Sequence, residues 1–393
     1  MLAVILAPFY LLLNYYFNKR SLAWLKVYAR PFKLRKVRFA YEVTYWTAAT
    51  SLLTAFLLPQ SQLQRVFKIV SNYWIGIFFC AVSLTAAADL VGLLCVKKGD
   101  RKNSKISFAA GAVILAAVFA FTVYGSIHAR HVYTTSYQVK VEKSLPGKKS
   151  LKIVLIADLH LGYNSGLAQV RKIVEKTNEG KPDLVCIAGD IFDNEYRAVK
   201  NPEKIIKELA KINSTYGTYA CWGNHDINEK ILGGFTFGTK KQNSDDRQMR
   251  EFLTRAGVKI LDDKTILIGE SFYLAGRKDP SKTRKMGSER KSPKELLKGC
   301  DLSKPVIVMD HEPKELEVLA GEGADLDLSG HTHDGQIFPG NLMTALMWEN
   351  SCGYKKIGNM NSVVTSGAGV WGPPMRVGTK SEVCEITVRF TGK

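Results

Sequence analysis

Long apolar runs dominate the first third of the chain, and they predict helices that cross a membrane. Four apolar stretches lie within the first 130 residues, separated by short polar loops. A bilayer core is spanned by about 20 apolar residues in a helix. The pattern therefore predicts about four membrane-spanning helices, at residues 2–17, 40–59, 72–96 and 107–127.

From Leu151 the pattern changes to short apolar segments that alternate with polar loops and with stretches of helical periodicity. Leu151–Ala157, Leu184–Ala188 and Val306–Met309 are typical of buried strands, and Leu167–Asn178 is typical of an amphipathic helix. Strands that alternate with helices indicate an α/β fold. Helices are fewer between the later strands, which favours a second sheet and a layered sandwich.

These patterns divide the chain into three parts. We predict a multi-span transmembrane region at residues 1–130, a linker at 131–150 and an α/β domain at 151–393. Asp89 lies inside the third apolar stretch. An acid at this position is either a functional group or an interfacial residue near the end of its helix.

Positive charge is concentrated in the first part of the chain. Residues 1–150 contain 20 Lys and Arg against four Asp and Glu, whereas the remainder contains 35 against 32. The near-neutral second part does not have the basic face of a nucleic-acid-binding domain. Thirteen of the basic residues lie in the loops after the first and third apolar stretches. Four lie in the segments after the second and fourth stretches, which would be on the opposite side of the membrane. The positive-inside rule then places the α/β domain outside the cytoplasm of a multi-pass membrane protein.

Polar residues with metal-binding side chains follow the predicted strands of the second part. They occur in the sequences ADLHLG, AGDIFD, WGNHD, MDHEP and SGHTHDGQ. Five of the seven histidines of the chain belong to these segments, each beside an acid, an amide or another histidine. Ligand sites in α/β sheets gather at the carboxyl ends of the strands, so we expect these side chains to lie together.

The donor set combines carboxylates, an amide and imidazoles. Such mixed oxygen and nitrogen ligands suit Mn²⁺, Fe or Zn²⁺ rather than Ca²⁺. The ligands are too many for one ion, and two divalent ions that share a carboxylate would use them all.

The ordered pattern DxH, GDxxD, GNHD, a later His and GHTH resembles the calcineurin-like metallophosphoesterase superfamily over about residues 150–390. The segment GHTHDGQ and the terminal GAGVWGPPMRVGTKSE resemble a bacterial, membrane-associated branch of it. Asp334 stands where that branch more usually has glycine. The resemblance implies a four-layer α/β/β/α sandwich and a metal-dependent phosphoesterase.

By the same resemblance, the ligand roles divide between two metal ions. Asp158, His160 and His333 would hold the first ion, Asn224, His311 and His331 the second, and Asp190 would bridge both. Substrate would be contacted by Asn224 and His225. Apart from the resemblance, Arg376 is expected to contact phosphate because it belongs to the segment 367–376. His225 and Asp226 would be the catalytic residues, with His225 as an acid for the leaving group and Asp226 orienting His225 or a neighbouring loop. Asp193 is expected to support a ligand or cap a loop.

The resemblance implies hydrolysis of a phosphate monoester or diester by a metal-bridging hydroxide. Attachment to a membrane favours a substrate linked to lipid or to the cell envelope. Two alternatives stay open, a nuclease of the same fold and a non-catalytic metal-binding receptor or scaffold.

Three further segments have weaker signals. Residues 233–250 form either a lid over the site or a surface loop. Residues 277–294 contain eight Lys and Arg and form either a solvated loop or a contact for anionic groups. Residues 367–376, which contain Trp371, are expected to line the mouth of the pocket.

Overall fold

The computed structural model describes residues 2–95, 104–229, 231–232, 235–236 and 247–392. The chain forms two compact units. One comprises residues 1–126 together with the short segments 231–237 and 372–374, and the other comprises the remaining residues.

The first unit contains four long helices, one over each predicted apolar stretch. They are α1 (Leu2–Tyr28), α2 (Arg35–Leu57), α3 (Gln62–Cys95) and α4 (Ser104–His128). Within the described residues, Gln62–Leu94 and Lys105–His128 are long and apolar enough to cross a membrane, by length and composition. The first two spans stay a prediction, because α1 and α2 do not reach that hydropathy. Most of the basic loop between α3 and α4 lies outside the described residues.

The acid inside the third predicted span has partners in α1. Asp89 forms an ion pair with Arg20 and accepts a hydrogen bond of 2.5 Å from the hydroxyl of Tyr16. A carboxylate on a membrane-spanning helix is costly unless it is paired. These contacts favour a structural role for Asp89 in holding α3 against α1.

Two mixed sheets, each of six strands among the described residues, form the core of the second unit. The order in the first sheet is β1 (Val132–Val141), β14 (Ser381–Phe390), β2 (Ser150–Ile156), β3 (Leu184–Ala188), β4 (Thr218–Cys221) and β7 (Val258–Ile260). Strands β2, β3, β4 and β7 are parallel, and β14 is antiparallel to β2. The predicted linker contains β1, which pairs along its whole length with β14.

The second sheet has the order β12 (Gly353–Ile357), β13 (Met360–Val364), β11 (Leu326–Ser329), β10 (Val306–Met309), β9 (Phe272–Gly276) and β8 (Lys264–Ile268). Its four inner strands are parallel, and both edge strands are antiparallel to their neighbours. A separate short hairpin pairs β5 (Ile231–Leu232) with β6 (Phe235–Thr236). The α/β class predicted from the alternating pattern is confirmed.

Seven helices accompany the sheets. They are α5 (Leu167–Glu179), α6 (Pro202–Leu209), α7 (Arg247–Arg255), α8 (Pro280–Met286), α9 (Pro293–Leu296), α10 (Leu316–Gly321) and α11 (Gly340–Met347). The described part of the predicted lid includes β6 and the beginning of α7, and the rest of that segment lies outside the described residues.

Burial on both sides of the strands explains the continuous apolar runs in the sequence. In β2, Leu151, Ile153 and Leu155 point into a cluster that also contains side chains of the second sheet. Val154 and Ile156 point the other way, into a cluster with residues of α5, α6 and α7. A strand buried on both faces has no polar face, so its sequence does not alternate.

The basic segment 277–294 is not wholly solvated, because two of its arginines pair with acids of the protein. Arg277 is fully buried, and its guanidinium donates 2.8 Å to Asp310 and 2.7 Å to Glu315. Arg290 contacts the same two acids and is only 12% exposed. The sequence prediction missed this network because the acids belong to the loop after β10, far along the chain.

We predict that Arg277→Met destabilises the protein by about 3–5 kcal/mol, because the substitution leaves the buried Asp310 carboxylate without its best partner. Arg255→Met is the matched control, since Arg255 pairs with Glu203 on an exposed surface and such pairs contribute little. Chemical denaturation of the two variants beside the wild type measures the difference. Equal stability of both variants would contradict the assigned role of Arg277.

Candidate metal centre

The loops that follow five strands bring the predicted ligands to one edge of the two sheets. In the first sheet, β2, β3 and β4 are adjacent and parallel, and Asp158, Asp190 and Asn224 follow them directly. In the second sheet, β10 and β11 are adjacent and parallel, and they are followed by His311 and His331. Parallel neighbours end at the same edge of a sheet, which explains why residues distant in sequence meet here.

One cluster of potential ligands consists of Asp158, His160 and His333, all buried. The Nε2 atoms of His160 and His333 are 3.0 Å apart, and Nε2 of His333 is 3.5 Å from Oδ1 of Asp158. Asp158 is further held by the backbone N–H of His331, which donates to its carboxylate at 3.0 Å. Three side chains from two loops, the one after β2 and the one after β11, therefore present their donor atoms to one point.

A second cluster consists of Asp190, His311 and His331, with Asn224 beside them. Oδ1 of Asn224 is 3.1 Å from Nε2 of His311 and 2.9 Å from Nδ1 of His331. Nδ1 of His311 lies 2.9 Å from the carbonyl oxygen of Ala188, to which it donates. When the imidazole is neutral, that bond leaves the lone pair of Nε2 directed at the cluster, as in many metal-binding histidines.

Asp190 lies between the two clusters. Its Oδ2 is 3.1 Å from Nε2 of His311 in the second cluster and 3.7 Å from Nε2 of His160 in the first. Burial raises the pKa of the Asp190 carboxyl, but the nearby His311 and His225 outweigh burial and hold that pKa well below its usual range. The carboxylate is therefore ionised at neutral pH and available to cations on either side.

The donor chemistry of the site fits divalent cations. Ring nitrogens face each other at 3.0 Å between His160 and His333 and at 3.2 Å between His311 and His331. Burial lowers the pKa of His331 to about 4, so its imidazole is neutral at pH 7. Neutral imidazoles and ionised carboxylates are the forms that bind metals. The convergence of lone pairs favours a positive ion at each cluster.

The backbone around the ligands adopts conformations that most residues avoid. Asp158, His160, Asp190, His331 and His333 all have positive φ angles, between 44° and 73°. Residues in this left-handed region cluster at functional sites, where the surrounding structure enforces them. Gly223 is required at its position, because a Cβ atom there would lie 2.2 Å from Oδ1 of Asp190.

Asp226 is buried behind the two loops that carry Asp190 and Asn224, and it binds their backbone. Its fully buried carboxylate accepts hydrogen bonds from the backbone N–H groups of Phe192 (2.9 Å) and Gly223 (2.8 Å). These bonds join the loop after β3 to the loop after β4. Of the two roles predicted for Asp226, the geometry matches the positioning of a neighbouring loop. Asp193 also lies beside a ligand, with its Oδ1 3.7 Å from Nδ1 of His160.

Arg376 does not take the position predicted for a phosphate contact, and that expectation is corrected. Its side chain is fully buried and donates to the carbonyl oxygens of His333 (3.1 Å), Ser366 (2.5 Å) and Gly369 (2.9 Å). The guanidinium also contacts the ring of His333, at 3.3 Å from Nδ1. Arg376 therefore fixes the loop and the ring of a ligand, and an incoming phosphate cannot reach it without displacing these bonds.

His225 lies beside both clusters with one face toward the solvent. Its backbone N–H donates 2.7 Å to Oδ1 of Asp190, and its Nδ1 contacts the side-chain oxygen of Asn194. The rings of His160 and Trp371 flank it at centroid distances of 5.1 and 5.8 Å. Burial lowers the pKa of His225 to about 4. The imidazole is therefore neutral in the free protein at pH 7, with the Asn194 contact selecting the tautomer protonated at Nδ1.

Sequence reasoning missed two residues of the site. Asn194 follows Asp193 directly, so its place next to the AGDIFD segment was a usable signal. Trp348 packs its ring against His331 at a centroid distance of 5.0 Å, yet it follows no predicted strand and has no motif around it. Trp371 lies at the site beside His225, in agreement with the expected pocket mouth.

Fold and site together define an α/β domain with a buried histidine and aspartate centre suited to metal ions. Residues 151–335 match the model of the calcineurin-like phosphoesterase family. The chain therefore carries a calcineurin-like phosphoesterase domain. Family and candidate ligands together support a metal-dependent phosphoesterase.

Several relatives have related names. A metallophosphoesterase of Campylobacter jejuni described as uncharacterized is 28% identical over 385 residues, which cover 96% of this chain and 95% of that protein. One from Helicobacter pylori (strain J99) is 34% identical over 61% of this chain and 60% of its own length. A Danio rerio protein named transmembrane protein with metallophosphoesterase domain is 28% identical over 71% of this chain and 62% of its own length.

We predict that Mn²⁺ raises the melting temperature of the chelator-treated protein. A ligand present at 100 times its Kd stabilises the folded state by about 2.7 kcal/mol per site, which corresponds to a rise of roughly 5–10 °C. Asp190→Asn should lose most of this rise, because Asp190 contacts both clusters. Asp262→Asn, which alters a more exposed carboxylate paired with Arg250, should keep it. An undiminished rise in the Asp190 variant would argue against a shared ligand.

Proposed function

We propose that this protein is a membrane-anchored phosphoesterase that uses two divalent metal ions, Mn²⁺, Fe or Zn²⁺, to hydrolyse a phosphate monoester or diester. The observation that carries the proposal is the position of Asp190 between two ligand clusters. Each cluster offers enough donors for one ion, and the carboxylate between them can bind both.

In this proposal the first ion is held by Asp158, His160 and His333, and the second by Asn224, His311 and His331. When bound, such ions neutralise phosphoryl oxygens and lower the pKa of water. The protein supplies fixed positions for these ligands, since each follows a buried strand and is held by hydrogen bonds such as those from Arg376 to His333. Asn224 lies at the exposed side of its cluster, where its amide can also contact a phosphate.

His225 has the position expected of a residue that faces the substrate. Its Nδ1 is held by Asn194, so Nε2 is the nitrogen free to exchange a proton. A phosphate dianion or monoanion beside the ring raises the pKa of an imidazole from the value of the free site. His225 would then protonate the departing oxygen of the ester, as a general acid.

For the domain limits we keep the sequence prediction of a multi-span membrane region at 1–130 and a catalytic domain at 151–393. Within the predicted linker at 131–150, β1 pairs with β14, so we assign this strand to the catalytic domain. We propose that the catalytic domain is a four-layer α/β/β/α sandwich, supported by the cluster between the two sheets and by helices packed on each outer face.

The distribution of basic residues among the loops supports a catalytic domain outside the cytoplasm. Labelling of one cysteine introduced on its surface with a membrane-impermeant reagent in intact cells tests this orientation. Labelling only after lysis would reverse it. The membrane attachment favours a lipid-linked or envelope-linked phosphate ester as substrate.

The direct test is hydrolysis of bis-p-nitrophenyl phosphate and of p-nitrophenyl phosphate by the purified chain with Mn²⁺. We expect activity that is abolished by chelator and falls by several orders of magnitude in Asp190→Asn, and the faster substrate identifies the ester class. Absence of hydrolysis from a protein shown to bind metal would contradict the proposal for both ester classes and would favour a binding function.

We predict that His225→Ala lowers kcat by about 10²–10⁴-fold while bound metal is retained, because His225 acts on the leaving group and belongs to neither of the two proposed ligand sets. The loss should be smaller for p-nitrophenyl esters than for alkyl esters, whose leaving groups need protonation more. His131→Ala, which changes an exposed histidine after α4, is the control. Equal losses for both kinds of ester would exclude the acid role.

A further inference from the structure

An exposed apolar helix lies directly beside the candidate metal centre. Helix α11 has no buried residue, and its four large side chains are exposed, with 55% for Leu342, 58% for Met343, 84% for Leu346 and 72% for Met347. Phe338, just before the helix, is 56% exposed. The sequence from Gly335 to Trp348 contains no charged residue. Contiguous exposed apolar surface of this kind marks a binding site.

The helix is attached to both ligand clusters. At its start, the 3-10 turn His333–Gly335 packs so closely against it that a Cβ on Gly335 would lie 2.0 Å from the carbonyl carbon of Gly340. At its end, the backbone N–H of Trp348 donates 3.0 Å to Thr344, and the ring of Trp348 packs on His331. The position of α11 is therefore fixed relative to the histidines of both clusters.

The segment before the helix is also tied to a residue beside His225. Gln336 binds the backbone of Trp371 twice, accepting from its N–H at 2.9 Å and donating to its carbonyl at 2.8 Å. Trp371 is 39% exposed, and its ring is near that of His225. The uncharged segment from Gly335 to Trp348 is therefore connected through Gln336 to the aromatic ring beside His225.

We propose that α11, with Phe338, binds the hydrocarbon chain of the substrate, and that the substrate is a phosphate ester of an amphiphile. This inference rests on the proposed phosphoesterase function and names its substrate class. Each methylene transferred from water to such a surface favours binding by about fourfold when fully buried. The helix is then exposed in the free protein because the hydrocarbon chain that would cover it belongs to the substrate.

The test is a series of alkyl p-nitrophenyl phosphodiesters with methyl, butyl and octyl chains, used below their micelle-forming concentrations. The full chain is held in amphipol and assayed with Mn²⁺. We expect kcat/KM to rise about 10²-fold from methyl to octyl in the wild type, for partial burial of the chain. The double variant Leu342→Ser, Leu346→Ser should lose at least nine tenths of this rise. Because each variant is judged by the ratio of its kcat/KM for the octyl ester to its kcat/KM for the methyl ester, a general loss of active protein does not affect the result.

The matched control is Leu302→Ser, Val318→Ser, which changes two side chains exposed by 46% and 50% elsewhere on the domain and should keep the full rise. A rise in kcat/KM with chain length that persists in the α11 variant would overturn this inference and leave the proposed function standing. A flat series in the wild type would do the same. A flat series together with a loss of oligomeric mass in the α11 variant would assign the surface to a second copy and also overturn it. Failure to hydrolyse both the methyl ester and p-nitrophenyl phosphate would overturn the proposed function and this inference with it.

Discussion

The approach of Asp190 to histidines of both sheets is the constraint on which the rest of the site depends. Asp190 follows β3 of the first sheet, and His311, 3.1 Å away, follows β10 of the second. His311 also donates to Ala188, the last residue of β3, so the same imidazole ties the two sheets together at their common edge. Lone pairs and a buried carboxylate concentrated in this way repel one another unless cations or protons lie between them.

The surroundings show how such a site is kept in shape. Five of the candidate ligands have left-handed backbones on short loops, and these loops follow strands that are largely buried. The charged groups of Arg376 and Asp226 form hydrogen bonds with backbone groups of these loops. Precise ligand positions come from this kind of support, in which buried side chains hold the loops that carry the chemistry.

The sequence predicted those parts of the molecule in which a local pattern determines the structure. Leu184–Ala188 and Val306–Met309 are confirmed as strands at the predicted limits, because two-sided burial makes them continuous apolar runs. Strand β11 was missed because Asp327 interrupts its apolar pattern. That buried carboxylate accepts hydrogen bonds from Ser329 and from Ser362 on the neighbouring strand, a pairing that no local pattern reveals.

Five candidate ligands could be predicted for a related reason, since each follows a predicted strand at a short distance. His331 and His333 follow the missed strand β11 and were predicted from the GHTH motif instead. The structure brings all seven of them together, and their metal roles stay a proposal. Arg277 and Arg376 were misread as solvent-facing or substrate-facing cations, because the burial of an arginine depends on partners far along the chain. Asn194 and Trp348 were missed because an amide and an aromatic ring have many uses and no diagnostic spacing.

The central claim is that Asp190 joins two metal ions in one site. Anomalous diffraction from crystals grown with Mn²⁺, measured at the manganese absorption edge, tests it most directly. We expect two peaks about 3.5–4 Å apart, one at each cluster, with the Asp190 carboxylate between them. A single peak at full occupancy, or two peaks that Asp190 does not join, would contradict it.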